Sequence, residues 1–129
     1  MEVEPIDSPE APSPVGPYSA AWRVGSLVFT SGQGAIDSAT GCLAGTTIEE
    51  QTALVLESCE RVLRSAGATL VEVVKVNVFL TDMSYFDRFN RAYAAAFTPP
   101  YPARTAVAAR LLGRMLVEIE CVACIRSRD

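Results

Sequence analysis

The sequence predicts an α+β fold, a mixed β-sheet with two helices packed on one of its faces. Three features carry that expectation. Residues 47–67 repeat apolar side chains at helical spacing, residues 86–97 do the same with aromatics, and runs of β-branched or alternating residues flank both. A chain of 129 residues has the length of a single domain.

The first 14 residues hold prolines at 5, 9, 12 and 14 and the acids Glu2, Glu4, Asp7 and Glu10 without a basic residue. This composition predicts a flexible or extended acidic tail, with the domain proper over 15–129. Residues 20–24 and 27–30 around Gly25-Ser26 read as a hairpin. Ser31-Gly32-Gln33-Gly34 ends it. The two glycines allow backbone amides to face outward and hold an anion or oxyanion; the alternative is an ordinary glycine turn. Residues 35–46 read as a loop.

Thr47 and Glu50 form a capping box for the first helix. Behind it Ile48, Thr52, Val55, Leu56, Cys59, Val62, Leu63 and Ala66 make one apolar face, and Gly67 ends it. Residues 73–81 are the clearest strand, predicted to place Val74, Val76, Val78 and Leu80 on one face and Val73, Lys75, Asn77 and Phe79 on the other. Ser84 with Asp87 is expected to cap the second helix. There Phe86, Phe89, Tyr93 and Phe97 form a stripe read as core, with Asn90 beside it, and Pro99-Pro100 stops the run.

Residues 102–120 read as a near-C-terminal hairpin. Its first strand carries Arg104 among small residues, where a guanidinium can grip a carboxylate through two parallel hydrogen bonds. Its second strand puts Leu116, Glu118, Glu120 and Val122 on one face and Val117, Ile119, Cys121 and Ala123 on the other. If the two strands pair, a glutamate reaches whatever Arg104 holds, giving a clamp and a base. The plainer reading is a solvated face.

Composition excludes several chemistries. There is no histidine, so hydrolases that need an imidazole base, and the usual zinc hydrolases, do not fit. Cys121 and Cys124 form a C-x-x-C, but on a strand residues three apart face opposite sides; all four cysteines, with Cys42 and Cys59, are read as reduced thiols and no metal is expected. The net charge of −4 equals the four acids of the tail, which leaves a balanced domain and no basic face for nucleic acid. No apolar run suits a membrane span and the N-terminus lacks the layout of a secretory signal, so a cytoplasmic protein is expected. Two helices cover only one face of the sheet, and an uncovered face of valines and alanines predicts self-association.

GPYS at 16–19, TSGQ at 30–33, VVKVNVFLTDM at 73–83, FNRAY at 89–93, PARTAV at 102–107 and VEIE at 117–120 resemble the RidA (YjgF) family over nearly the whole chain after the tail. The resemblance implies a chorismate-mutase-like fold assembled as a homotrimer with ligand clefts between subunits. It also implies cofactor-independent hydrolysis of reactive enamines and imines, such as 2-iminopropanoate, to a 2-keto acid and ammonia. Carried over by position, Arg104 binds the substrate carboxylate, Glu118 positions or activates water, and Tyr18, Ser31, Gly32 and Asn90 line the cleft. Ala20 and Ala106 depart from the glutamine and cysteine common at those positions, and the interval from Arg104 to Glu118 is one residue short. These departures bear on substrate preference and branch. Two other readings stand beside it. One is a non-catalytic trimer that binds keto acids and needs only Arg104; the other is a ribonuclease or translation inhibitor, which the missing histidine and balanced charge disfavour.

Overall fold

A computed structural model describes residues 1–127. In chain order the elements are β1 (Val3–Ile6), β2 (Ala21–Val24), β3 (Leu27–Thr30), α1 (Ile48–Ser65), β4 (Val73–Leu80), α2 (Phe86–Ala94), β5 (Ala103–Ala108) and β6 (Val117–Cys124). Short 3-10 turns lie at Leu70–Glu72 and Met83–Tyr85. The strands form one sheet in the order β1-β2-β3-β6-β4-β5, antiparallel except for β4 with β5. That parallel pair requires a crossover, and α2 supplies it.

Both helices pack on one face, as expected. Val28, Val76, Val78, Leu80, Val117 and Ile119 from the sheet are buried in one cluster with Ile48, Val55, Leu56, Val62, Leu63 and Phe89. The capping box of α1 is formed: Glu50 N donates to Thr47 Oγ1 at 3.1 Å, and Thr47 N donates to Glu50 Oε1 at 3.2 Å. Gly67 follows the helix with φ of 87°, a conformation that suits glycine.

Four expectations need correction. The stretch read as a flexible tail contains an edge strand, β1, with Val3 opposite Val24 and Ile6 opposite Ala21. An edge tolerates Pro5, and the segment is tied further on where the hydroxyls of Ser8 and Ser65 meet at 2.8 Å and Ala11 is buried. The second correction concerns residues 102–120, which do not form a hairpin. β4 lies between β5 and β6, because the most apolar strand takes the position with neighbours on both sides. The connecting loop passes the end of β4, where Ala109 N donates to Leu80 O at 2.8 Å and Thr81 N donates to Leu116 O at 3.1 Å.

The other two are local. A register shift between Val73 and Lys75 turns Val74 outward and Val73 inward, which reverses the predicted phase at the start of β4. At α2 Ser84 is not the cap: Tyr85 precedes the helix without a side-chain cap bond, and Asp82 caps the 3-10 turn before it, its carboxylate accepting from Ser84 N at 2.8 Å.

The face of the sheet away from the helices is more aromatic than expected. Trp22, Leu27, Phe29 and Val107 are each about two-fifths exposed. Cys121 is buried and Cys124 half-buried, in line with their placement on opposite faces of β6. A hydrogen bond with Cys121, together with burial, pushes the Cys59 thiol well up. No helix among the described residues is long and apolar enough to cross a membrane.

Candidate active site

The predicted site residues fall into two groups on opposite faces of the sheet. In β5, Arg104 is in register with Val76, a core residue of β4, so its side chain emerges on the helix side. In β6, Glu118 is in register with Phe79 and alternates with the buried Val117 and Ile119, so it emerges on the other side. Within one chain the guanidinium and the carboxylate therefore do not meet.

On the helix side, Arg104 lies against α2. Its guanidinium carbon is 4.9 Å from the ring centre of Tyr93, 5.5 Å from that of Phe89 and 5.6 Å from that of Phe86. The stripe read as core is thus also a platform that holds a cation by its ring faces. Among the described residues Arg104 makes no hydrogen bond or ion pair, which leaves its fork of N–H donors for a ligand. Two buried acceptors on the same helix, Asn90 Oδ1 and Tyr93 Oη, have no partner. Burial pushes the Tyr93 hydroxyl up to about 12 against the opposing pull of Arg104. Tyr93 was expected only as core, and the signal that could have revealed it was its place on the helix turn after Asn90.

On the other side, Tyr18, Gly32 and Glu118 line one cavity of about 550 Å³. Glu118 makes no hydrogen bond or ion pair among the described residues. Burial, with a smaller contribution from the neighbouring charge of Glu120, raises its pKa above the ordinary carboxylate range. Glu120, the second carboxylate of the pair, is engaged: Asn77 Nδ2 donates to its Oε1 at 3.1 Å. Glycine at 32 leaves the Glu118 carboxylate in place, because a Cβ there would sit 2.6 Å from Glu118 Oε2.

Ser31 is a hinge for this wall rather than part of the lining. Its hydroxyl donates to Ser19 O at 2.6 Å and its amide donates to Ala20 O at 2.9 Å. Gln33, not singled out from the sequence, fixes the same turn. Its amide donates to Ile119 O at 2.8 Å, its side-chain Nε2 donates to Ser31 O at 3.3 Å, and its Oε1 accepts from Ser58 Oγ at 2.9 Å. A glutamine beside a glycine turn gives no sequence signal for burial. Gln51 was missed for the same reason. It is buried on α1, donates through Nε2 to Arg114 O at 3.2 Å and accepts from Leu116 N at 2.7 Å, so it holds the loop before β6.

Each half has one chemical capacity. The helix side offers a guanidinium fork for a planar anion, and the cavity side offers an unengaged carboxylate of raised pKa, able to take a proton from water. No cluster of histidine, cysteine or acidic side chains able to hold a metal ion occurs among the described residues.

Comparison with known proteins agrees with this frame. The family model described as Endoribonuclease L-PSP matches residues 8–125. A RutC family protein of Pyrococcus abyssi is 43% identical over 124 residues, covering 95% of this chain and 98% of that protein. The chloroplastic Reactive Intermediate Deaminase A of Arabidopsis thaliana is 37% identical over 126 residues, covering 97% of this chain and 67% of that protein. The crystal structure of RidA from an Antarctic Psychrobacter superposes with a TM-score of 0.90 at 39% identity, covering 95% and 99% of the two chains. With the family model matched over residues 8–125 and a RidA structure superposing over nearly the whole of both chains, this chain belongs to the RidA (YjgF) family.

Proposed function

We propose that the protein hydrolyses 2-imino acids and their enamine tautomers to 2-keto acids and ammonia, in sites completed by two copies of the chain. The observation that carries this reading is the Arg104 guanidinium, seated on three aromatic rings with no counter-ion. A structural arginine in that position would be paired; an unpaired one is prepared for an anion from outside. The similarity to a Reactive Intermediate Deaminase supports deaminase chemistry.

The steps use only this chain's groups and water. Arg104 of one copy holds the substrate carboxylate through two parallel hydrogen bonds. Glu118 of a neighbouring copy orients water against the protonated C=N carbon. The C–O bond forms as a water proton passes to Glu118, and the C=N π electrons go to nitrogen. That proton then returns to the nitrogen of the carbinolamine; the C–N bond breaks as Glu118 takes the hydroxyl proton, the C–O π bond forms, and the departing ammonia carries that proton away as ammonium. A protonated imine is already electrophilic, so the protein's part is orientation and one proton relay. Two copies are required because one chain sends the two groups to opposite faces, and the exposed Trp22, Leu27 and Phe29 offer an apolar surface for assembly. A homotrimer in the cytoplasm, acting without cofactor, fits this arrangement.

The test is to generate 2-imino acids in place with an amino-acid oxidase and follow their disappearance with and without the protein. Acceleration is expected, reduced about 10- to 100-fold in kcat/KM by Arg104→Ala, as for loss of hydrogen bonds to a charged group. Acceleration untouched by Arg104→Ala and Glu118→Ala would reject the site. No acceleration with any imine would leave a keto-acid binding protein.

A further inference from the structure

The sheet face away from the helices is mostly apolar, yet it carries one small patch of opposite charges. We propose that a second copy of this chain is the partner this patch fits, the Lys75 ammonium of one copy pairing with the Glu120 carboxylate of the next. The inference rests on the two-copy reading above and names the contact that decides which partner is accepted and in what sense.

Alternation on three neighbouring strands builds the patch. Lys75 and Asn77 alternate with the buried Val76 and Val78, so they leave the sheet on the side away from the helices, and Thr105, next to the helix-side Arg104 in β5, does the same. Thr105, Asn77 and Glu120 are in register across β5, β4 and β6. Phe29, paired with Val122, and Phe79, paired with Val107, share this face. Neither Lys75 nor Glu120 lines the cavity beside Glu118.

Within one chain the two charges are left incomplete. Lys75 is the chain's only lysine, and it is the one cation among the described strand residues of this face. Its Nζ donates to the neutral Thr105 Oγ1 at 3.1 Å, and among the described residues no carboxylate lies within ion-pair distance. Register is the reason, since Lys75 stands opposite Val122 whereas Glu120 stands opposite Asn77. Asn77 Nδ2 donates to Glu120 Oε1 at 3.1 Å, and among the described residues Oε2 accepts no hydrogen bond. Both charged side chains are half-buried.

Covering this face turns those charges into a selection rule. An ammonium or a carboxylate enclosed by apolar side chains without a counter-charge is strongly disfavoured, so a partner has to bring one of each. A second copy does. The layout also has a direction, because the ammonium leans over β5 through Thr105 while the carboxylate stands on β6, two strands or about 10 Å across. Opposite charges on opposite flanks of β4 suit head-to-tail closure, in which the β5 flank of one copy meets the β6 flank of the next. That is the sense in which Arg104 of one copy would reach Glu118 of its neighbour, so one contact serves assembly and site together.

The experiment reads mass, because the Glu120 charge also acts on Glu118 and activity would mix the two effects. Sedimentation velocity over a dilution series compares the full chain with Lys75→Glu, with Glu120→Lys and with the variant carrying both. Each single reversal sets like charges across the contact and is expected to raise the concentration needed for assembly at least about tenfold. The double reversal should bring it back to within about threefold of wild type, a recovery that a merely damaged fold does not give. A carbodiimide, which joins an amine to a carboxylate where the two touch, gives the direct measurement. Chains joined through Lys75 and Glu120 should appear by denaturing electrophoresis and peptide mass. They should vanish in Lys75→Arg, which keeps the charge but has no amine to couple. Single reversals that assemble as well as wild type, a double reversal that recovers nothing, or cross-links that run to other carboxylates would overturn the pair and leave the deaminase reading standing. An assembly held by the pair that accelerates no imine would keep the pair and discard the deaminase. A wild type that stays monomeric at every concentration would overturn both the pair and the two-copy site.

Discussion

Two glutamates separated by one residue on β6 have different fates, and the difference follows from their neighbours. Glu120 is taken up by Asn77, whereas Glu118 faces a cavity with no partner and a raised pKa. Glu118 must be ionised to accept a proton from water. The acid limb of the kcat/KM profile should therefore lie above the ordinary glutamate value of about 4.3, and Glu118→Gln should remove that limb along with most of the activity. Stability runs the opposite way. A carboxyl with a raised pKa is best tolerated protonated, so the contribution it makes at low pH is lost as pH rises through its folded value. Glu118→Gln should melt above the wild type at neutral pH, and the two should converge in acid; a variant less stable at neutral pH would contradict the assignment. Gly32 tests the same carboxylate from the other side. The atoms a new Cβ would meet belong to the end of the Glu118 side chain, 2.6 and 2.9 Å away, so the carboxylate can swing aside and the fold survives. Gly32→Ala should lower kcat by about 100-fold, the scale for displacing a reacting group by roughly 1 Å, with little change in melting temperature. These residues could be chosen from the sequence because unpaired charge among apolar neighbours demands a reason. Their separation to two faces could not, because the face of Arg104 is decided by its register against β4 and that register is a long-range choice.

Elements with strong local signals were legible, and those decided by distant partners were not. The α1 capping box and its apolar face follow from residues three and four apart, and the β2–β3 hairpin from a two-residue turn at Gly25-Ser26, where φ of 59° at Gly25 suits glycine. β1 was hidden because proline and acid content describe an unattached chain well, while pairing with β2 is a tertiary event. The loop before β6 was equally opaque, since its anchor, Gln51, lies 65 residues from Leu116 in sequence. Gln51→Leu would leave Leu116 N without its acceptor. It should cost about 1–3 kcal/mol in denaturant unfolding, the penalty for an unsatisfied buried donor. α1 and α2 are also joined by a forked pair, with Arg88 Nε and Nη2 donating to Glu49 at 2.8 and 2.7 Å. That hydrogen-bonded guanidinium, helped by a backbone hydrogen bond, lowers the Glu49 pKa to about 2. A depressed carboxylate stabilises the fold above its unfolded pKa and loses that contribution as pH falls through the folded one. The melting-temperature gap between wild type and Arg88→Ala should thus be constant near neutrality and close as pH falls from the usual glutamate range toward about 2. A gap independent of pH would assign the arginine's role to packing on Tyr85, whose ring centre lies 6.0 Å from its guanidinium carbon.

The sheet as a whole separates clamp from base, and this makes a statement about assembly that one chain can test. If each site takes Arg104 from one copy and Glu118 from the next, the interface is heterologous and a closed ring repeats it. Arg104→Ala and Glu118→Ala would each lose most of the activity alone, yet the two defects lie on different walls of every site. In mixed rings, a site regains both groups whenever an Arg104-bearing wall from a Glu118→Ala copy faces a Glu118-bearing wall from an Arg104→Ala copy. For random assembly of equal amounts that combination occurs at about one site in four. Co-expression of the two variants should therefore restore about a quarter of wild-type kcat per chain, while mixing the separately purified, undissociated rings restores none at first. Placing Asp at Phe29, on the exposed apolar face, should weaken assembly, and sedimentation should show smaller species whose activity falls in step. Activity that stays with a monomeric species, or co-expressed variants that recover nothing while ring exchange is demonstrated, would mean that guanidinium and carboxylate never share a substrate. The sheet's two faces would then have to be explained as two separate binding surfaces.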